Sequence, residues 1–236
     1  MAPSTTGGSG TFLARASDGG RWWVKPQNSP QGPRVTVTEF IAGKLGAMID
    51  APVCEVAVLR IPDELVGWEF RPGLFLEAGL ACGSAHVEGA VEQRALLYRD
   101  RDDNARRHAG VFGFYDWCWG GDDQWLYSAL EDEKLVSHDH GWYFPETGPG
   151  WNDASLAARI GERHALTSTE KGLSAGELTR IATKLRSMTR AEIRDVLLRV
   201  PASWPVPDSD LEGIGNFVEE RREAVADRLE QLAVTV

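Results

Sequence analysis

The sequence has few cysteines, no cluster of basic residues and no long apolar run. Its three cysteines, Cys54, Cys82 and Cys118, are odd in number and widely spaced, which fits neither a disulfide framework nor a zinc-binding motif. We expect them to be reduced, buried thiols. No apolar run approaches the ~18 residues that a membrane-spanning helix requires, and the N-terminal residues lack the basic and apolar regions of a targeting signal. These absences predict a cytoplasmic protein with no membrane partner.

The charge balance of the chain is acidic, with a formal net charge of -10 and a pI near 5.0. Neutralising nucleic-acid phosphates requires clustered lysine and arginine side chains, and the chain has no such run. We therefore expect no direct binding to nucleic acid. With 236 residues, of which 42% are apolar, the chain is long enough to form one large domain or two small lobes.

The first part of the sequence predicts a small β-rich unit with one helix. Residues 1–10 are rich in Ser, Thr and Gly and predict a flexible tail. Phe12–Ala16 and Arg21–Lys25 predict a β-hairpin, because two adjacent glycines in their connection permit positive φ angles. Apolar spacing then predicts a helix from Thr36 to Ile49, and the valine-rich segment Val53–Ile61 predicts a buried strand.

The rest of the sequence predicts a mixed region followed by helices. Residues 65–87 predict short strands and an interlobe connection, while Ala90–Arg107 and Ala109–Trp117 predict helices. Leu126–Leu130 and Lys134–Ser137 predict a second hairpin. Three further helices are predicted by the spacing of a capping box, in which a hydroxyl and a carboxylate bond to each other's backbone N–H groups. These capping pairs are Ser174 with Glu177, Thr189 with Glu192, and Ser209 with Glu212.

The order of these elements, strands first and helices last, predicts an α+β, two-lobed fold. We place an N-terminal lobe with a nucleotide-binding sheet and helix at 11–64. A C-terminal lobe with catalytic and metal-binding loops follows at 65–236.

Lys25 and Glu39 are candidate residues for holding nucleotide phosphates. Phosphoryl transfer requires a cation on the phosphates, oxygen ligands for Mg²⁺ and a carboxylate directed at the nucleophile. Lys25 ends a predicted strand, and Glu39 lies on the following helix, where it can pair with the lysine and keep it extended. The alternative is a solvated lysine at a sheet edge and a surface glutamate.

Asp139 is the candidate Mg²⁺ ligand, because the predicted strand before it ends in a sharp turn at Gly141 and carboxylate oxygen suits this cation. The triplet His138-Asp139-His140 also matches a transition-metal site and hence a metallohydrolase. In an extended chain, however, the two histidines point to one face and Asp139 to the other, so all three could share an ion only across a kink.

The loop that begins at Gly120 supplies the remaining candidates. Asp122 and Asp123 are candidates for the catalytic carboxylate that orients the acceptor hydroxyl, and Gln124 could offer its amide oxygen to a second Mg²⁺. A pair of aspartates in a glycine-led loop is also common in ordinary turns. Position favours the catalytic interpretation, since the hairpin that follows this loop ends next to Asp139.

These candidates lie in segments that resemble the HipA-like kinases, in particular the stand-alone HipA-like proteins of bacteria, with a more distant likeness to phosphatidylinositol kinases. The segments are GGSGTFLARASDGG, WWVKP, TEFIAGKLGAMIDAPV, FYDWCWGGDDQWLY and SHDHGWYFP. The resemblance implies a two-lobed protein-kinase-like fold with a mainly helical C-terminal lobe. It also implies ATP and Mg²⁺ as cofactors, and transfer of the γ-phosphoryl group to a hydroxyl acceptor, either protein Ser/Thr or a small molecule.

Carried over by position, the resemblance implies that Lys25 contacts the ATP phosphates and that Asp122 is the catalytic aspartate. It also implies that Gln124 binds a second metal ion and that Asp139 binds Mg²⁺. The chain departs from the usual catalytic loop, because Asp122 and Gln124 are two residues apart where an aspartate and an asparagine usually stand five apart. The catalytic base is therefore open among Asp122, Asp123 and Asp116. This irregular loop also keeps a second interpretation open, a nucleotide-binding pseudokinase that acts as a regulatory partner.

Overall fold

The computed structural model, which describes residues 2–3, 8, 10–145 and 151–236, places antiparallel sheets first and most of the helices after them. Most of the predicted tail, 1–10, lies outside the described residues. The first sheet has the order β1-β2-β3-β7-β4, the second sheet has the order β10-β9-β8, and β5 and β6 form a separate pair. The strands are β1 (Ala2–Pro3), β2 (Phe12–Arg15), β3 (Arg21–Lys25), β4 (Val56–Ile61), β5 (Glu69–Arg71), β6 (Leu74–Phe75), β7 (Gly79–Ala85), β8 (Ala90–Gln93), β9 (Trp125–Ser128) and β10 (Lys134–Ser137).

The predicted hairpin at the start of the chain is confirmed as β2 and β3. Its turn is closed by the Asp18 carboxylate, which accepts a hydrogen bond from the Gly20 amide at 2.8 Å, while Gly19 takes the positive φ of 89° that the turn requires. The strand ends at Lys25, which pairs with Cys82 of β7. The first sheet thus extends to Ala85, past residues 64 and 65, where we placed the boundary between the lobes. The position of that boundary stays a prediction.

The helix predicted from Thr36 to Ile49 is confirmed as α1 (Arg34–Met48), and it packs on β4 of the first sheet. The two elements approach closely because α1 carries glycine at the contact. A Cβ atom on Gly43 would lie 2.8 Å from the side chain of Val56. This close packing holds Glu39 of α1 in the protein interior, where it is 2% exposed.

The predicted helix over Ala90–Arg107 is wrong from Ala90 to Asp103. Ala90–Gln93 is strand β8, which pairs with β9 in the second sheet, and α2 (Asn104–Cys118) begins only after Asp102 and Asp103, both of which have positive φ. The conformation of β8 depends on pairing with a strand some 35 residues away, and the periodicity of the neighbouring residues does not reveal such a pairing. The second hairpin, β9 and β10, is confirmed.

The C-terminal helices pack around α2 and bury its aromatic residues. Ser174 and Thr189 cap α4 and α5, each accepting a hydrogen bond from the backbone amide three residues later. The reciprocal bond of the predicted capping box forms at Thr189 and not at Ser174, since the Glu177 carboxylate accepts hydrogen bonds from Arg106 and Arg180 instead. The cap at Ser209 is wrong, since the last helix begins at Asp208, after Pro207, without a side-chain cap. The helices are α3 (Asp153–Ala157), α4 (Ala175–Ser187), α5 (Arg190–Leu197) and α6 (Asp208–Thr235).

All three cysteines are buried free thiols, as predicted. Among the described residues, no helix combines the length and the apolar character needed to cross a membrane.

Candidate active site

A cleft of about 490 Å³ is lined by residues from both sheets and from the loops that follow α2 and β10. Five of the six predicted site residues line it. Asp123 is the exception, because its carboxylate lies beside Tyr115 instead, and burial together with the charge of Asp123 raises the pKa of the tyrosine hydroxyl. The five lining residues are Lys25, Glu39, Asp122, Gln124 and Asp139.

Lys25 stands at the centre of a buried group of charges. Its Nζ atom donates hydrogen bonds to Glu39 Oε2 at 2.8 Å and to Asp139 Oδ1 at 2.7 Å. Burial alone would lower the pKa of Lys25, but the charges of Asp139 and Glu39 override it and raise this pKa above its usual value. The lysine therefore stays charged. Since Lys25 and Glu39 are 4% and 2% exposed, the alternative of a solvated pair is wrong.

The second carboxylate oxygen of Glu39 is also held in place. Ser84 of β7 donates a hydrogen bond to Glu39 Oε1 at 3.0 Å, and His140 Nδ1 lies 3.9 Å from the same oxygen. Burial lowers the pKa of His140 to about 4, so the imidazole is neutral near pH 7. Its other nitrogen, Nε2, lies 2.9 Å from the Ser137 hydroxyl. Glu39 is thus fixed on the side facing away from Lys25.

Asp139 follows β10 in the left-handed conformation, with a φ of 54°. The charge of Lys25 lowers the pKa of Asp139 to about 2 in spite of its burial, so the carboxylate is ionised at neutral pH. The turn after it passes very close to α1 and Lys25. A Cβ atom on Gly141 would lie 2.7 Å from Val35 Cγ1 and 2.9 Å from Lys25 Nζ, so glycine allows this approach.

Asp122 lines the cleft beside Gln124, whose Nε2 atom donates a hydrogen bond to Asp122 Oδ2 at 2.9 Å. Burial and the charge of Asp139 raise the pKa of Asp122, while Arg94 and the Gln124 hydrogen bond oppose that rise. The loop before Asp122 is packed against the turn after Asp139. A Cβ atom on Gly121 would lie 1.8 Å from the Trp142 carbonyl oxygen, which leaves no room for a side chain.

Asp116, the other alternative for a catalytic base, lies outside the cleft lining. It is buried on α2, where its carboxylate accepts hydrogen bonds from Arg221 at 2.9 Å and from Arg228 at 2.7 Å, both on α6. The backbone amide of His164 donates to the same carboxylate at 3.0 Å. These contacts indicate that Asp116 joins α2 to α6.

The triplet His138-Asp139-His140 does not converge on one point. His138 Nε2 lies 3.6 Å from Glu92 Oε2, whereas His140 contacts Ser137 and Asp139 contacts Lys25. Within the part of the chain that the structure describes, no group of three or more His, Cys, Asp or Glu residues could hold a metal ion. Nothing in this geometry favours the metallohydrolase interpretation.

The structure also adds residues to the cleft that the sequence did not identify. Trp23 could have been found, because side chains alternate along a strand and it lies two residues before Lys25 on the same face. Glu92 and Arg94 were hidden by the wrong helix prediction. The added residues used below are Trp23, Ser84, Val87, Glu92, Arg94, Leu126 and Trp142.

The sheets, the helices that follow them and the polar cleft together define a protein-kinase-like α+β fold. The chain matches the profile of a family described as HipA-like kinase over residues 1–131, which is more than half of its length. It therefore belongs to the HipA-like kinase family, and the predicted family and fold class are confirmed.

Two solved structures illustrate the likeness. The crystal structure of a Helicobacter pylori proinflammatory kinase, CtkA, matches with a TM-score of 0.66 and 10% sequence identity, covering 99% of this chain and 94% of that chain. HipA of Shewanella oneidensis MR-1, in a toxin–antitoxin complex with HipB and operator DNA, matches with a TM-score of 0.41 and 12% identity, covering 99% of this chain and 67% of that chain. A search of curated proteins found no match.

Proposed function

We propose that this chain is an ATP-dependent phosphotransferase that uses Mg²⁺ and transfers the γ-phosphoryl group to a hydroxyl acceptor, with protein Ser/Thr preferred to a small molecule. The observation that carries this proposal is the convergence of Lys25, Asp139 and Asp122 in one cleft. They supply a permanent cation, an ionised carboxylate and a second carboxylate, which are the groups that phosphoryl transfer requires from a protein.

Lys25 would bind phosphate oxygens of ATP. It is fully charged and it is held from behind by Glu39, whose other oxygen is fixed by Ser84. A cation held in this way loses little freedom when a phosphate arrives, so its position is preorganised for the reaction.

Asp139 and Gln124 fit a Mg²⁺ ion. The charge of Asp139 raises the pKa of Asp122, so the cleft contains two carboxylates whose repulsion a cation would relieve. Mg²⁺ is commonly held by one or two carboxylates together with substrate phosphates, and it neutralises charge on the phosphate oxygens when bound. Gln124 donates through its nitrogen to Asp122, which leaves its amide oxygen as a ligand.

Asp122 is our choice for the residue that accepts the proton of the acceptor hydroxyl. Its raised pKa makes it a better base than an ordinary surface aspartate. Asp123 is the second choice, because its side chain lies beside Tyr115 and does not line the cleft.

The base of the nucleotide would lie at the apolar part of the cleft. Trp23 of β3, Leu126 of β9 and Val87, which follows β7, are apolar members of the cleft lining. An aromatic wall and aliphatic side chains are the usual lining of a site for a planar ring.

The irregular catalytic loop supports a second candidate, a nucleotide-binding pseudokinase. Asp122 is hydrogen-bonded to Gln124, only two residues away, and this arrangement replaces the wider spacing of an ordinary catalytic loop. Such a protein would bind ATP without transferring its phosphate.

To test the proposal, the purified protein is incubated with Mg²⁺ and γ-labelled ATP, with and without a mixture of Ser/Thr-containing peptides. We expect label on the protein or on a peptide. Asp139→Asn should abolish it, and Lys25→Ala should slow it by about 100-fold or more, as for other preorganised electrostatic groups. The control is Asp132→Asn, an exposed aspartate in the turn between β9 and β10.

Labelling that survives Asp139→Asn would overturn the metal assignment. A loss below about threefold in Lys25→Ala would remove Lys25 from the phosphate site. If ATP raises the melting temperature of the wild type and no label is transferred, the pseudokinase replaces the active enzyme.

A further inference from the structure

Arg94 is a cleft residue to which the proposed function gives no role. It follows β8, and its side chain is 66% exposed. Its Nη1 atom lies 3.9 Å from Asp122 Oδ1 and its Nη2 atom lies 3.8 Å from Glu92 Oε1. Both distances exceed that of a hydrogen bond. The guanidinium is therefore attracted to two carboxylates without being fixed by either.

Lys25, the other permanent cation of the cleft, is fixed by hydrogen bonds to carboxylates, whereas Arg94 is not. Among the described lining residues, Lys25 and Arg94 are the only lysine and arginine. Lys25 already donates two hydrogen bonds to buried carboxylates. A guanidinium has five N–H donors in a planar fork that matches two oxygens of one phosphate, and Arg94 can offer that fork to a ligand.

The position of Arg94 indicates which phosphate it would meet. In the proposed function, Asp122 orients the acceptor hydroxyl, and this hydroxyl must approach the phosphorus atom that is transferred. A cation less than 4 Å from an Asp122 oxygen therefore lies at the γ-phosphate end of the nucleotide. Lys25, by contrast, donates its hydrogen bonds to Asp139 and Glu39.

We propose that Arg94 binds the γ-phosphate of ATP, so that the cleft distinguishes a nucleoside triphosphate from a diphosphate. The inference rests on the proposed function. In the free protein, Glu92 and Asp122 attract the guanidinium to the place where the terminal phosphate would arrive. Removing the guanidinium should therefore weaken triphosphate binding selectively.

The test compares the binding of two nucleotides by isothermal titration calorimetry in the presence of Mg²⁺. The ligands are ADP and the non-hydrolysable β,γ-imido analogue of ATP, and the proteins are the wild type, Arg94→Ala and Arg94→Lys. We expect Arg94→Ala to lose about 10-fold or more in affinity for the analogue and less than about 2-fold for ADP. Arg94→Lys should keep part of the difference, because it retains the charge and loses the fork.

The matched control is Arg101→Ala, since Arg101 is also exposed and also pairs with an aspartate, Asp132, but lies outside the cleft lining. It should change neither affinity. An equal loss for both nucleotides in Arg94→Ala, or no loss, would overturn the role of Arg94 while leaving the nucleotide site intact. A wild type that binds neither nucleotide would instead overturn the proposed function, and this proposal with it.

Discussion

At the scale of single residues, the site depends on three charges that stabilise one another. Removing a charge from water costs several kcal/mol unless partners compensate for it, and Lys25 has two such partners at hydrogen-bonding distance. Glu39 in turn depends on Lys25 and Ser84. Lys25 therefore needs both carboxylates to stay charged in the interior, and its charge in turn keeps Asp139 ionised.

Asp139 should make stability depend on pH in the acid range. Its folded pKa of about 2 lies below the usual value of 3.8, so its contribution is complete above the unfolded pKa and is lost as pH falls through about 2. The free energy of unfolding, measured with denaturant at several pH values, should show a deficit for Asp139→Asn that shrinks between pH 4 and pH 2. A deficit that stays constant over this range would contradict the coupling to Lys25.

At the scale of elements, the cleft is shaped by glycine contacts between loops. Gly121 rests against Trp142 in the turn formed by residues 140–142, so the loop that carries Asp122 and the turn that follows Asp139 fit each other closely. The spacing of the two carboxylates depends on this contact.

Gly121→Ala should therefore impair activity far more than it changes the overall fold. The added Cβ would lie 1.8 Å from the Trp142 carbonyl oxygen, so the loop must move, and a displacement of about 1 Å near reacting groups can cost on the order of 100-fold in rate. The control is Gly161→Ala, where a Cβ atom meets nothing within 4 Å. Phosphoryl transfer in Gly121→Ala at the wild-type rate would show that the two loops are not packed as described.

The sequence predicted those elements whose signals are local. The hairpin of β2 and β3, helix α1 and the caps of α4 and α5 each depend on residues within a few positions of one another. Strand β8 was missed because its conformation depends on β9, and the first helical turn of α6 was misread because Ser209 resembles a cap without acting as one.

The same distinction applies to the cleft. The sequence indicated Lys25, Glu39 and Asp139, since each lies within or shortly after an element with a clear pattern, and the structure brings all three into contact or close proximity. It did not indicate Glu92 and Arg94, because they reach the cleft only through the pairing of β8 with β9. Their side chains carry no local signal of that pairing.

At the scale of the whole molecule, a buried ion cluster joins the helices beneath the cleft. Asp116 of α2 pairs with Arg221 and Arg228 of α6. Arg221 also donates hydrogen bonds to carbonyl oxygens of the chain between α3 and α4, including that of Glu162 at 2.9 Å. The cluster therefore connects three parts of the chain that are distant in sequence.

Asp116→Asn should destabilise the protein without removing its chemistry. Breaking a buried ion pair leaves an uncompensated charge on Arg221 and should lower the free energy of unfolding by about 3 kcal/mol or more. Denaturant unfolding would measure this loss, and Arg228→Ala, at the more exposed end of the cluster, should cost less. A folded Asp116→Asn variant of normal stability that transfers no phosphate would instead identify Asp116 as the catalytic base.

The charges that line the cleft affect whether a nucleotide would enter it free or bound to a metal ion. Among its described residues, four carboxylates, on Glu39, Glu92, Asp122 and Asp139, face two permanent cations, on Lys25 and Arg94. The lining thus repels a polyanion, and the local potential has the sign that attracts a divalent ion. ATP already complexed with its metal carries less negative charge than free ATP, so under the proposed function the complex should enter the cleft more readily than free ATP.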